Sequence, residues 1–216
     1  MGTPEITTTD TALLLIDLQN GFVDPDGFVS RLYGGLSSSL QAAVEPARQA
    51  LVAARAAGIP VIHTQHVFEP GYTDGGFLVN EILPKRAEVA GTEPSFDLVP
   101  GSWETAFFPA VEPIEGEFIV QKNRYDAFIG TRLERYLVRS GIKTLIIGGV
   151  VTTVCVESTT RDAAMRDYRV HLMTDAIGDA DDAGHEQGVV RLTTMFAHAT
   201  TAAEVSAALS GGLVTA

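Results

Sequence analysis

The sequence has 216 residues, 45% hydrophobic and 19% charged, which is enough apolar material to bury one substantial core, and a single domain over 1–216 is expected. Its formal charge is -12, with 15 Lys and Arg against 27 Asp and Glu. No basic field exists to hold a polyanion, so nucleic acid is excluded as a partner. No apolar run reaches the roughly 20 residues of a membrane span, and Met1 to Asp10 shows neither the basic nor the apolar segment of a secretory leader. No membrane partner is expected, and the chain reads as a cytoplasmic protein. The lone cysteine, Cys155, rules out a disulfide framework and any cysteine cluster for zinc or iron–sulfur. If Cys155 has a role, it acts as a thiol.

The first pattern along the chain is the apolar run Ala12 to Ile16, closed by Asp17 and a turn-rich stretch through Gly27. It predicts a fully buried strand. Pro46 suits a first helical turn, and the Ala-rich segment to Ala57 continues at helical spacing until Gly58 caps it and Pro60 stops it. Val61 to His66 predicts a second strand. Residues 67 to 116 carry six prolines and no long periodic run, which is several times the usual connection length and typical of a lid or binding loop. Phe118 to Gln121 predicts a third strand ending at Lys122. Thr131 to Ser140 predicts a helix with Thr131 as cap and Gly141 as stop. Then follow a strand Leu145 to Val150, a helix Val154 to Asp167, a strand Val170 to Met173, a helix Ala183 to Ala197, an edge strand near Ala199 and a helix Ala202 to Leu209.

Alternating helices and wholly apolar strands call for a parallel sheet covered on both faces, a three-layer α/β/α domain. In such sheets ligands collect at the carboxyl ends of the strands. Asp17 follows the first strand, Lys122 the third, and Cys155 opens the helix after the fourth. A carboxylate to take the thiol proton, an ammonium to hold that carboxylate, and a sulfur to attack a carbonyl make a coherent set for acyl transfer. A helix start also favours a thiolate through its unpaired N–H groups and dipole. Taken singly, each residue has a plainer role: a buried inert cysteine, a turn-forming Asp, a solvated Lys.

The segments LLLIDLQNGF, KNRYDAF and GGVVTTVCVESTTRDA, spread over roughly residues 11 to 205, resemble the three signatures of isochorismatase-like cysteine hydrolases. That family includes nicotinamidases, N-carbamoylsarcosine amidohydrolase, biuret hydrolase and ureidoacrylate amidohydrolase. The resemblance implies a six-stranded parallel sheet in the order 3-2-1-4-5-6. It implies catalytic roles for Asp17 as general base, Lys122 as catalytic lysine and Cys155 as nucleophile, a non-proline cis peptide between Val150 and Val151, and an oxyanion hole from the N–H groups of Val151 and Cys155. On that strand order Lys122 must reach inward past the second strand. A thioester would form and be hydrolysed, with neither organic cofactor nor metal required, and a homo-oligomer, dimer or tetramer, is implied.

Retention of Cys155 favours amide or ureido hydrolysis over vinyl-ether cleavage. The segments around Tyr125 and Cys155 resemble the ureidoacrylate and biuret branch more than the nicotinamidases, whose Asp-x-His metal segment is here His66-Val67-Phe68. His63 and His66 lie three apart on a strand and face opposite sides, so no metal is expected. Gln19, Phe22, Tyr125 and His66 are the candidate substrate-binding residues. Trp103, Phe107 and Phe108 are candidates for further pocket or subunit contacts. The carboxylates Asp175, Asp179, Asp181 and Asp182 read as caps. Alternatives are a cyclic-amide or lactam hydrolase, a metal-independent nicotinamidase-like amidase, or a silent small-molecule-binding protein. No phosphate-binding glycine motif follows any strand.

Overall fold

The computed structural model describes residues 6–92 and 96–211. The ends of the expected 1–216 domain, 1–5 and 212–216, and residues 93–95 within the long connection lie outside the described residues. Six strands form the sheet: β1 (Thr11–Ile16), β2 (Val61–His66), β3 (Phe118–Lys122), β4 (Thr144–Val150), β5 (Arg169–Gly178) and β6 (His198–Thr200). All neighbours pair in parallel, in the order β3-β2-β1-β4-β5-β6. This is the expected architecture.

Every residue of β1 is buried, because the strand lies in the middle of the sheet with helices on both faces. Leu13 and Leu15 face the layer of α3 (Ser38–Ala57) and α8 (Ala202–Gly211), packing with Leu40, Leu51, Val205 and Leu209. Ala12, Leu14 and Ile16 face the layer of α5 (Leu133–Arg139), α6 (Glu157–Met165) and α7 (Asp182–Met195), with Leu137, Ala163 and Leu192. The period-two alternation of one strand therefore feeds two cores. Between β1 and α3 lie two short helices, α1 (Asn20–Val23) and α2 (Phe28–Tyr33). Among the described residues no helix is long and apolar enough to cross a membrane.

Four elements differ from expectation for identifiable reasons. Helix α3 begins at Ser38, with Ser37 as cap accepting from the Leu40 N–H at 3.1 Å, so Pro46 lies inside the helix. The lost backbone bond is outweighed by a buried stripe of Leu40, Ala43, Ala47, Ala50, Leu51 and Ala54 at three- and four-residue spacing. The long connection contains a true helix, α4 (Leu83–Ala90), introduced by Pro84 and closed by Gly91. Strand β5 continues through Gly178 because Asp175, polar in sequence, caps the start of α8 by accepting from the Ala202 N–H at 3.0 and 3.2 Å. The helix predicted from Val154 starts instead as a wide π turn over Thr152–Val156 that runs on into α6.

Candidate active site

The carboxyl ends of β1, β3 and β4 bring Asp17, Lys122 and Cys155 together. At Asp17 the backbone turns out of the strand with φ of 50°, a left-handed geometry that Asp tolerates better than most residues. One carboxylate oxygen, Oδ2, accepts from Lys122 Nζ at 2.6 Å, and both side chains are fully shielded from solvent. The other, Oδ1, accepts from the hydroxyl of Thr64 on β2, whose Oγ1 in turn accepts from the Asp17 N–H at 3.0 Å. Lys122 does stretch across β2, and its remaining protons find the Arg124 carbonyl at 3.1 Å and His66 Nδ1 at 3.4 Å. All three ammonium protons thus have acceptors.

Cys155 is 2% exposed. Its sulfur, a ring nitrogen of His66 and an Asp17 oxygen all lie within 4.8 Å of one another. Three atoms of these types could in other surroundings hold a metal ion, but here the Lys122 ammonium sits 2.6 Å from the carboxylate and 3.4 Å from the imidazole. A second cation in that space would meet a fixed like charge in a low dielectric. The donor set does not fit a metal.

The turn carrying Cys155 is tied down from two sides. Asp179, just after the end of β5, accepts from both the N–H and the hydroxyl of Thr153 at 2.6 Å, and Thr152 Oγ1 lies 2.9 Å from His185 Nδ1 on α7. The Val150–Val151 peptide is cis, as the resemblance implies. Gly149, with φ of 118°, runs so close to β1 that a Cβ there would stand 2.1 Å from the Ile16 carbonyl oxygen. Only glycine lets β4 approach the strand that carries Asp17 in this way.

Electrostatically, burial pushes the Cys155 thiol well above the usual thiol range; Asp17 reinforces the shift and Lys122 opposes it. This corrects the expectation of a resting thiolate, since loss of hydration at the sulfur outweighs the favourable helix start. Burial works against the Lys122 charge, but Asp17 and Cys155 more than compensate and hold the ammonium above its ordinary range. Burial, then Lys122, pushes His66 down to about 3, so its ring is neutral at physiological pH. The ground state is a carboxylate–ammonium pair beside a neutral thiol and a neutral imidazole.

A cavity of about 50 Å³ opens over the sulfur, room for a few water-sized groups. Its walls are mainly apolar and include Phe22, His66, Phe68, Tyr125, Val151, Val154 and Cys155. Asp17 and Lys122 are not among them; they stand behind the sulfur. Phe22, Tyr125 and His66, the substrate-binding candidates from the sequence, line this cavity, and Val151 and Cys155 both face it. Gln19 is not on the wall. Its amide donates to the carbonyls of His66 and Thr105 at 3.1 Å each and accepts from the His66 N–H at 2.7 Å, bracing β2 against the long connection. From that connection Phe68, Leu78, Leu83, Arg86 and Leu98 reach the cavity. Trp103, half exposed, and Phe107 and Phe108 do not line it; Phe107 packs against His63, which pairs with Glu117 at 2.9 Å on the far side of β2. Asp175, Asp181 and Asp182 act as caps or backbone clamps, as expected for this acidic cluster. Thr64, His185 and Arg86 had not been singled out from the sequence, and the grip of Asp179 on Thr153 goes beyond the cap expected of it.

The isochorismatase domain matches residues 11–204 of this chain. The chain belongs to the isochorismatase family. Among curated relatives, a ureidoacrylate amidohydrolase RutB of Methylorubrum extorquens is 33% identical over 206 residues, 93% of this chain and 83% of that protein. That of Stutzerimonas stutzeri is 35% identical over 181 residues, 80% and 71% of the two chains. Among solved structures, a cysteine hydrolase from Pseudomonas syringae pv. phaseolicola 1448A superposes with a TM-score of 0.82 at 26% identity, covering 98% of this chain and 100% of the other. N-carbamoylsarcosine amidase from Thermoplasma acidophilum, 23% identical, shares the isochorismatase fold at a TM-score of 0.70 over 89% of this chain and 96% of its own.

Proposed function

We propose that this member of the isochorismatase family is a cysteine-dependent amidohydrolase that cleaves a C–N bond of a small ureido, carbamoyl or amide substrate through a thioester. The observation that carries the reading is the buried Asp17–Lys122 pair set directly behind the one sulfur that faces the cavity. The similarity to ureidoacrylate amidohydrolases supports the substrate class.

In the first step Asp17 takes the thiol proton as Sγ adds to the substrate carbonyl carbon, which suits a thiol whose own acidity has been suppressed by burial. Lys122 stays protonated and offsets the negative charge that moves from carboxylate to sulfur to oxyanion. In this reading the N–H groups of Val151 and Cys155 receive that oxyanion. Collapse breaks the C–N bond, and the proton held by Asp17 goes to the departing nitrogen, which leaves as ammonia or an amine. Water then gives a proton back to Asp17 and its hydroxyl to the thioester carbon, and expulsion of sulfur with that proton restores the thiol. Asp17 and the thiol thus regain their starting protonation states: the original thiol proton leaves with the nitrogen, and water supplies its replacement.

The test is intact-mass spectrometry of the enzyme quenched during turnover of 3-ureidoacrylate, N-carbamoylglycine, nicotinamide and a simple lactam. An acyl adduct on Cys155, absent in Cys155→Ala, is expected with the ureido or carbamoyl compounds. Turnover by Cys155→Ala near the parent rate would end the covalent proposal, and adducts with the lactam alone would favour the cyclic-amide reading.

A further inference from the structure

The cavity over Cys155 holds a cation that the proposed chemistry leaves without work. Arg86, on α4, lines the same space as Cys155 and is the one charged residue, among the described residues, on a wall otherwise built of apolar and neutral side chains. No carboxylate among the described residues comes within ion-pair distance of it. Its Nε and one terminal nitrogen donate to the hydroxyl of Tyr33, over whose ring the guanidinium carbon sits 5.6 Å from the centroid. The buried hydroxyl of Tyr125 lines the same cavity and has no hydrogen-bond partner of good geometry among the described residues. It stands near enough to Arg86 for the two groups to feel each other electrostatically.

The guanidinium is only partly buried, so water bears part of its charge, and an anion brought to it from the cavity side would find a cation with no competing carboxylate among the described residues. In a chain whose net charge is -12, that no carboxylate among the described residues is placed at ion-pair distance from Arg86 is informative. A guanidinium whose hydrogen-bond partner among the described residues is the neutral Tyr33 hydroxyl matches a carboxylate, which it can grip through two parallel N–H donors. Tyr33 holds the ring-side edge of Arg86, and Tyr125 offers its O–H beside it.

We propose that Arg86, steadied by Tyr33 and assisted by Tyr125, binds a carboxylate at the far end of the substrate, so that the enzyme selects anionic ureido or carbamoyl acids over their neutral counterparts. Resting as it does on the amidohydrolase reading, the inference adds the charge of the substrate to that reading. Arg86 is then a specificity-determining residue whose loss acts on binding of the acid.

The test compares 3-ureidoacrylate and N-carbamoylglycine with their methyl esters. In the parent enzyme kcat/KM should favour the acids. In Arg86→Gln that acid-over-ester ratio should fall by about 10- to 100-fold, the range expected for lost hydrogen bonds to a charged group, mainly through KM of the acids. Arg86→Lys should keep part of the ratio. An Arg86 that merely clamps Tyr33 would, when replaced, lower Tm and slow acid and ester alike; that result, or a parent enzyme that does not discriminate, overturns the proposal. Calorimetric titration of 3-ureidoacrylate into Cys155→Ala and Cys155→Ala/Arg86→Gln separates the two readings. Arg86-dependent binding without any turnover by the parent would sink the amidohydrolase reading and keep the carboxylate site, whereas turnover with an Arg86-independent affinity would do the reverse.

Discussion

Lys122 Nζ lies 2.6 Å from Asp17 Oδ2 although the strands that carry them are separated by the whole of β2. The extended lysine stem crosses that strand, and both charges are sealed from water. Removing one partner leaves the other buried and uncompensated, so Lys122→Met should cost about 3–5 kcal/mol of stability and abolish turnover. Asp17→Asn/Lys122→Met should recover most of that stability without recovering activity. Urea denaturation of the single and double variants checks this, and a single variant as stable as the parent would show that the pair is not the buried unit described.

The resting thiol is neutral because burial raises it, with Asp17 adding to the effect. Thiolate absorbance in the near ultraviolet, taken as the difference between the parent and Cys155→Ser, should therefore stay flat across the neutral pH range. A step in that range would mean that the sulfur is already ionised and that Asp17 is not needed as its base.

Thr64 holds Asp17 twice, through Oδ1 and through the backbone N–H. Thr64→Val keeps the shape and removes the hydroxyl, leaving a buried carboxylate oxygen and a buried N–H unsatisfied. A loss of about 1–3 kcal/mol is expected, together with a fall in kcat larger than any change in KM, because the carboxylate is freed to rotate away from the sulfur. Steady-state kinetics alongside thermal denaturation distinguish the two effects, and an unchanged kcat would remove Thr64 from the positioning of the base.

His66 titrates near 6.5 in the unfolded chain and at about 3 in the folded one. As pH falls below about 6.5 the unfolded chain takes up a proton that the folded protein refuses, so stability is lost progressively down to about pH 3, by up to about 1.4 kcal/mol for each pH unit crossed. His66→Asn keeps an acceptor for Lys122 and has nothing to protonate. Its stability should fall less steeply than that of the parent over the same acid range. Parallel slopes in chemical denaturation at several pH values would refute a buried neutral imidazole.

Much of the frame was legible because wholly apolar strands flanked by helices admit few arrangements, and because parallel strands deliver their carboxyl ends to one rim. That is why Asp17, Lys122 and Cys155, each ambiguous alone, could be placed together. Gln19 lies off the cavity wall for a local reason: the left-handed turn at Asp17 ends the strand alternation, so a residue two positions on no longer shares the face of Asp17. Thr64 could not be recognised, since a threonine inside an apolar strand reads as an ordinary β former. The hold of Asp179 on Thr153 and the reach of Arg86 were hidden by distance, one spanning 26 residues and the other riding a helix inside a proline-rich connection. The ionisation of the sulfur was misjudged because a helix start is visible in a sequence and the loss of hydration around it is not.

Asp17 and Lys122 stand behind Cys155 rather than on the cavity wall. In a reaction that passes through a thioester, the molecule that cleaves this ester must come in through the mouth by which the first product went out. Release therefore precedes entry, and any small nucleophile that fits competes with water for the same carbon. Hydroxylamine added during turnover would divert acyl groups into hydroxamates, while amines too bulky for a cavity of about 50 Å³ would be turned away, giving the enzyme a measurable size threshold for its second reactant.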